Sequence, residues 1–439
     1  MQSLGNGLVL RSLSDGFAND LERLPDFHAD WNGEGIDDLA KAGLRGWMRQ
    51  LTTRHVNVRP ADCFVVVDTQ HDDQIVAATH LIPQTWQYCG IPVRVGRPEL
   101  VATHPDYRGR GLIRALFEAV HARSAALGHQ LLGITGIPSF YRQFGYTMAV
   151  GLDDHAFFAL YPLPMPDENT RFGLRPATLD DIPTLQACQA YVAQSRVLAD
   201  SFTPEDWVYE VVGRESGHSA HAEYLMITDK QNADTAIGYV ILRDTLLDPY
   251  DLRCVGFVVG AESSYLATFE DVMRSLKAWA TAKYGACPHN VRFYPGIDPA
   301  LDMLIGRSYA GGVTGRDYAW YLRVPEPEAF LRHIAPALER RLSGSGAHRY
   351  TGRLRVGFAT LSGVEMTFED GRLLSVERMQ GKDGYDAEFP NHSFWNVVFG
   401  HRTIDELEYV LPDVWATPKA TVLLGALFPK HPSFVNGMC

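Results

Sequence analysis

Apolar and polar residues alternate along the chain with two different periods, and those periods sort it into elements. From Ile113 the apolar positions fall at Ile113, Leu116, Phe117, Val120 and Leu127, the spacing of one helix face, and Gly128 is a fitting stop. The stretch Glu99 to Thr103 before it is extended and partly apolar, and Pro105 and Asp106 end it. Phe64 to Asp68, Ile75 to Ile82 and Val93 to Thr103 read as strands, and Gln130 to Gly136 as a short buried one. A similar order follows: strands at Glu223 to Thr228, Ala236 to Leu242 and Arg253 to Val259, then a helix from about Thr268 to Lys283. Thr178 with Asp181 three residues on is a helix N-cap signature near the start of this second run. The last quarter differs. Leu354, Val356 and Phe358 alternate, then Val364, Met366 and Phe368, with Asp370-Gly371 as a hairpin turn. Thr403 and Glu406 form a capping box before a short helix, and Val422 to Leu427 is apolar.

Two proline-rich breaks interrupt these runs, Tyr161-Pro-Leu-Pro-Met-Pro166 and Val324-Pro-Glu-Pro327. They divide the chain into 1–163, 170–323 and 328–439. Strands and helices mix in each, so the fold class is α+β.

Composition narrows the partners. Of 439 residues, 46% are hydrophobic and 21% charged, values of a soluble globular protein. No apolar run approaches the roughly 20 residues that span a bilayer, and the N-terminus lacks the basic start and apolar core of a signal peptide. Six scattered cysteines without a Cys-x-x-Cys pair, and no His-Glu-x-x-His among the histidines, lead us to expect a reduced, cytoplasmic protein without a metal. A formal net charge of −12 disfavours nucleic acid and would suit a small cationic amine such as a polyamine, an aminoglycoside or a lysine side chain.

The richest chemistry lies in the turn between Thr103 and Ile113. Arg108-Gly-Arg-Gly111 opens a helix, and such a turn aims several backbone N–H groups and a positive helix dipole at one point. That point suits a phosphate or pyrophosphate. Gly109 and Gly111 admit a ligand to the backbone, and Arg108 and Arg110 add charge. No Gly-Lys-Ser/Thr is present, so the turn is no P-loop, and no Gly-x-Gly-x-x-Gly makes it a dinucleotide fingerprint. Downstream, Phe140-Tyr-Arg-Gln-Phe-Gly-Tyr146 follows the short strand. By themselves its aromatics could all be core residues.

The spacing Arg108-x-x-Gly111-x-Ile113 resembles the acetyl-CoA pyrophosphate loop of GNAT acetyltransferases, with Ile113 where Gly or Ala is usual. Phe140 to Tyr146 is similar to the segment that carries that family's tyrosine acid, which matches Tyr141. The three-part layout, together with Phe399-Gly-His-Arg-Thr-Ile-Asp-Glu-Leu407 and Leu427-Phe-Pro-Lys-His-Pro-Ser-Phe434, resembles the Eis (enhanced intracellular survival) family of acetyltransferases. In that family an aliphatic residue at the position of Ile113 is usual. The resemblance implies a catalytic GNAT domain, a second and degenerate GNAT-like domain whose Val259 to Tyr265 stretch lacks the loop motif, and a sterol-carrier-type domain. It implies acetyl-CoA as cosubstrate, with Leu100, Val101 and Ala102 pairing with the pantetheine arm. Arg108, Gly109, Arg110, Gly111, Leu112 and Ile113 would hold the pyrophosphate, and Gly136 and Ile137 would border the cofactor. Tyr141 would be the general acid. The C-terminal carboxylate, here that of Cys439, would be the general base, with Glu99 as the rival. Homo-oligomers, often hexamers, are the family's assembly. Two other readings stay open: a lipid or sterol carrier, and a CoA-binding regulator without turnover.

Overall fold

The computed structural model describes residues 1–439 except 153–154, 244–250, 295–297, 309–310, 315–318, 359–360, 382–383, 391, 434 and 437–439. The chain opens with β1 (Gln2–Gly5) and β2 (Leu8–Ser12), then helices α1 (Ala18–Trp31) and α2 (Asp38–Thr53). It continues through β3 (Cys63–Asp68), β4 (Gln74–Tyr88), β5 (Ile91–Thr103), α3 (Leu112–Ala126), β6 (Leu131–Ile134) and β7 (Thr147–Gly151). Strand β3 shows why this sheet is covered on both faces. Cys63, Val65 and Val67 pack under α1 and α2, while Phe64 and Val66 pack under α3.

Strand β4 is longer than the sequence reading, which stopped it at Ile82. Pro83 lies inside it, opposite Gly96 of β5. β3 pairs with β4 only as far as His80, and a later strand takes up that edge at Trp86, so Pro83 sits where this edge has no neighbour. Cys89 and Gly90, both with positive φ, turn the chain into β5.

Next come β8 (His155–Ala159), β9 (Phe172–Pro176), α4 (Ile182–Ala193), β10 (Leu198–Asp200) and α5 (Pro204–Val208). Strands β11 (Ala222–Asp229), β12 (Thr235–Arg243) and β13 (Asp251–Val259) lead to α6 (Tyr265–Tyr284) and β14 (Asn290–Phe293). Then follow α7 (Pro299–Arg307), β15 (Gly311–Thr314) and β16 (Ala319–Arg323). Asp181 closes a capping box on Thr178, as the sequence suggested.

Two strands change partners. The first sheet runs β1-β2-β3-β4-β5-β6-β16-β7, so β16 arrives from far along the chain and lies between β6 and β7. The second runs β15-β8-β14-β13-β12-β11-β9, so β8 lies between β14 and β15. In both, three antiparallel steps (β2-β3-β4-β5; β9-β11-β12-β13) precede one parallel step (β5-β6; β13-β14). The proline-rich breaks therefore do not partition the sheets: β8 precedes the first break yet belongs to the second sheet, and β16 precedes the second break yet belongs to the first.

The remainder is α8 (Pro327–His333), α9 (Ala335–Ser343), β17 (Gly352–Gly357), β18 (Ser362–Glu369), β19 (Arg372–Gln380) and β20 (Ala387–Glu388), then α10 (Phe394–Val398), α11 (Ile404–Val410), β21 (Trp415–Ala416) and α12 (Pro418–Leu427). Its sheet, β19-β18-β17-β20-β21, has the expected Asp370-Gly371 turn and the Thr403–Glu406 capping box. The outer ends of β4 and β5 join its core through Trp86, Tyr88 and Val93. Among the described residues, no helix is long and apolar enough to cross a membrane. The whole is a mixed α+β protein with several sheets.

Candidate active site

The site begins where two strands part. β5 pairs with β4 along nearly its whole length, but with β6 only at Val95–Leu131 and Gly96–Leu132. β6 then takes β16 as its other neighbour, and among the described residues no strand pairs with the second edge of β5 beyond Gly96. Leu100, Val101 and Ala102 lie on this stretch. The register against β4 slips between Ala78 and His80, so β5 bulges here, and Leu100 adopts φ +51°. A left-handed leucine costs about 1–2 kcal/mol, and such bulges re-aim a strand beside a site. Leu100 and Ala102 are buried beneath α1 and α2, whereas Val101 packs toward Phe117 and Tyr141. The Val101 carbonyl accepts from the Asn32 amide at 3.1 Å.

Past Thr103 the chain makes a 3₁₀ turn, Pro105–Tyr107, and enters α3 through the arginine-glycine turn. Gly111 is the N-cap, at φ +77°, and no side chain caps the helix. A Cβ built at Gly109 or Gly111 would meet nothing within 4 Å, so the approach to these amides is open. An uncapped helix start facing open space is what an anion needs. Arg108 bonds Glu34 at 2.6 Å across the mouth, and Arg110 reaches the Asp106 carbonyl at 2.9 Å over the Tyr107 ring. Leu112 faces the core below α3, and Ile113 packs partly into it. A phosphate or pyrophosphate would fit such a turn.

Tyr141 lies on the 3₁₀ segment Phe140–Phe144, only 4% exposed, with its ring 5.8 Å from Phe117 and 5.7 Å from Tyr321. Its hydroxyl rests against the end of β6. A Cβ at Gly136, where φ is +138°, would come within 2.9 Å of that oxygen, so only glycine leaves room for the tyrosine. Ile137, next along, is 62% exposed at the rim. The Ser139 N–H donates to the Tyr321 hydroxyl at 2.5 Å, which ties the tyrosine segment to β16. Nothing in the local sequence pointed to Tyr321, because it lies 180 residues downstream.

A cavity of about 510 Å³ opens between the two large sheets. Arg97, Glu99, Thr135 and Trp320 line its first wall, and Arg243, Arg253 and Tyr294 face them. Glu99 is held: its carboxylate pairs with Arg97 at 2.6 Å and accepts the Leu100 N–H at 3.3 Å. Trp47, Gly151, Leu152, Ser219, Ala220 and Val255 also line the cavity, and the C-terminal tail adds to it. The Val197 N–H donates to the Pro432 carbonyl, the Leu198 N–H to the Ser433 hydroxyl, and the Asn436 N–H to Asp200 at 2.7 Å. The tail thus runs beside β10, and Ser433, Val435 and Asn436 line the cavity. Cys439 lies outside the described residues.

A buried polar chain under the bulge was not legible in the sequence. His80 on β4 meets His28 on α1 through their Nε2 atoms at 2.8 Å, and His28 Nδ1 meets Asn32 at 2.6 Å. Both rings are fully buried; burial lowers His28 to about 4 and puts His80 well below the usual range. No group of three His, Cys, Asp or Glu among the described residues is placed to hold a metal ion.

Comparison with known proteins agrees with this geometry. Residues 43–149 match the family model described as an acetyltransferase (GNAT) domain. No curated protein matches the sequence. Among solved structures, a conserved Enterococcus faecalis protein of unknown function, described as a probable N-acyltransferase, is similar with a TM-score of 0.67 at 14% identity, over 98% of this chain and 100% of that one. A GCN5-related N-acetyltransferase from Anabaena variabilis is similar with a TM-score of 0.65 at 14% identity, over 98% and 99%. Eis1 from Mycobacterium abscessus is similar with a TM-score of 0.59 at 14% identity, over 97% and 98%. At these identities the likeness is one of fold. The family match spans the splayed strands and the arginine-glycine turn, so the protein is an enzyme that carries an acetyltransferase (GNAT) domain over residues 43–149.

Proposed function

We propose that the protein acetylates a primary amine at the splay between β5 and β6, and that its fold is a catalytic GNAT domain, a second GNAT-like domain and a sterol-carrier-type domain. The repeated succession of strand pairings in the two large sheets supports the tandem reading. Likeness to Eis1 over nearly the whole chain supports an Eis-like layout, and with it a homo-oligomer. The five described cysteines are all free, in keeping with a reducing, cytoplasmic setting.

Bound acetyl-CoA supplies the acetyl group as a thioester. Residues 108–113 receive its pyrophosphate at the uncapped α3 N-terminus, the open edge at Leu100 to Ala102 receives the pantetheine arm, and Gly136 and Ile137 border it. Asn32 must share or yield the Val101 carbonyl to that arm. Tyr141 gives its proton to the sulfur as the carbon–sulfur bond breaks. A carboxylate takes one proton of the ammonium, the freed amine nitrogen bonds to the acetyl carbon, and the second proton that this nitrogen loses restores the Tyr141 hydroxyl as the amide forms. The products are an N-acetyl amine and the free thiol. We assign the base to the Cys439 carboxylate, because the tail lines the cavity and Glu99 is already engaged by Arg97.

One observation carries the reading: an uncapped helix start with open amides and a buried tyrosine hydroxyl flank the same splayed edge. Calorimetry tests it. Arg108→Ala with Gly111→Asp removes one charge and sets another against the pyrophosphate, so acetyl-CoA binding should fall below detection; unchanged affinity in the folded variant would contradict the site. A carrier role for the third part finds less support, since Leu354, Val356, Val364, Met366 and Phe368 pack into one continuous core.

A further inference from the structure

The bulge in β5 takes Leu100 and Val101 out of the register with β4, and Leu100 sits at φ +51°. The direction of the Val101 carbonyl is set by a side chain, the Asn32 amide, which donates to it at 3.1 Å. A carbonyl oxygen has two lone pairs, so one remains for a ligand. We infer that Asn32, fixed in turn by His28 and His80, is a positioning residue for the acyl-CoA arm: it holds the Val101 carbonyl by one lone pair so that the other accepts an amide N–H of the pantetheine. This inference rests on the acetyltransferase reading, and its three residues lie outside both the arginine-glycine turn and the tyrosine segment.

Asn32 is tied twice to the residue one helical turn before it. Its backbone N–H donates to the His28 carbonyl at 3.0 Å, closing α1, and its Oδ1 meets His28 Nδ1 at 2.6 Å. The plane of the amide is thereby set. The protons along the chain follow from its last acceptor. A carbonyl only accepts, so Asn32 presents its NH2 to Val101 and its oxygen to His28. That oxygen also only accepts, so His28 Nδ1 carries the hydrogen. Full burial keeps both rings neutral, and a neutral imidazole has one N–H. His28 Nε2 is therefore a bare lone pair, and the hydrogen in its 2.8 Å contact belongs to His80 Nε2.

The chain thus runs from β4 through α1 to the edge that faces the cofactor, and each group in it has one allowed sense. His80 and His28 lie in the core, with ring centroids 5.0 Å apart, whereas Asn32 is exposed at the groove. The backbone beside Val101 is strained at Leu100, so a carbonyl there needs a tether to keep one direction. Setting that direction before the ligand arrives spares the arm the cost of ordering it.

Calorimetry with acetyl-CoA and with adenosine 3′,5′-bisphosphate, which has the nucleotide end but no arm, separates the two halves of the site. Asn32→Ala should weaken acetyl-CoA by about 3- to 10-fold, the worth of one hydrogen bond, and leave adenosine 3′,5′-bisphosphate unchanged. Asn32→Asp should be worse than Asn32→Ala, because it keeps an acceptor for His28 but sets a carboxylate against the Val101 carbonyl. In thiol-release assays the KM for acetyl-CoA should rise by the same factor while the KM for the amine holds. His28→Leu should weaken acetyl-CoA by itself yet add nothing to Asn32→Ala, because it acts through Asn32. Acetyl-CoA affinity that is unchanged or tighter in Asn32→Ala, an equal loss for both ligands, an Asn32→Asp variant that binds like the wild type, or additive effects of His28→Leu and Asn32→Ala would each overturn the inference and leave the acetyltransferase reading intact. If His28→Leu does not fold, the exposed Asn32 variants decide alone. Wild-type protein that binds no acetyl-CoA would overturn both.

Discussion

Gly136 and Tyr141 are five residues apart and share one contact, the tyrosine oxygen against a backbone with no Cβ. Gly136→Ala should therefore cost roughly 1–3 kcal/mol through its positive φ and should also displace the hydroxyl. We expect a lowered melting temperature together with a large loss of turnover; a variant of normal activity would mean that the hydroxyl's position is immaterial. Tyr141 could be singled out as a candidate because its segment has a distinctive sequence. Tyr321, His28 and His80 were not, since an isolated aromatic or a lone histidine on an apolar face carries no local signal. The buried histidines make a separate prediction. His28 titrates near 4 when folded and near 6.5 when unfolded, so its stabilising effect is full above pH 6.5 and is lost as pH falls toward 4, by about 3 kcal/mol at most. Urea unfolding should give a midpoint that drops between pH 6.5 and 5, above the range where carboxylates titrate. A flat midpoint would mean that these rings are protonated in the folded state.

Among the elements, α3 and the turn before it were readable to within a residue or two, because helical periodicity, the glycines and the proline all agree there. The length of β4 was misjudged because Pro83 reads as a strand end, and only the gap between β3 and β10 on that edge explains its place. The C-terminal tail is the element on which the choice of base turns. If the Cys439 carboxylate is the base, chain length fixes its position. One added residue, or deletion of Met438 and Cys439, should then abolish turnover in a protein of unchanged circular dichroism, while Cys439→Ala remains active because the carboxylate persists. An active extended chain together with an inactive Glu99→Gln would give the role to Glu99.

For the whole molecule, the exchange of β8 and β16 was invisible to sequence reading, since hydrogen bonding between distant strands leaves no periodic trace. Its consequence is that neither large sheet is complete alone. A chain stopped at residue 163 lacks β16, so β6 and β7 lose the strand between them and present raw edges. That fragment should aggregate, whereas a well-dispersed, cooperatively folding fragment would show that the exchange is dispensable. The cavity follows from the same construction, because residues of both sheets and of the tail line it. The most direct test of acetyl transfer at this junction compares the wild-type protein with Tyr141→Phe, measuring CoA affinity by calorimetry and thiol release with an accepted amine. The account predicts nearly equal affinity and turnover lower by about 10²-fold, as for loss of a general acid. Wild-type turnover by Tyr141→Phe would contradict it.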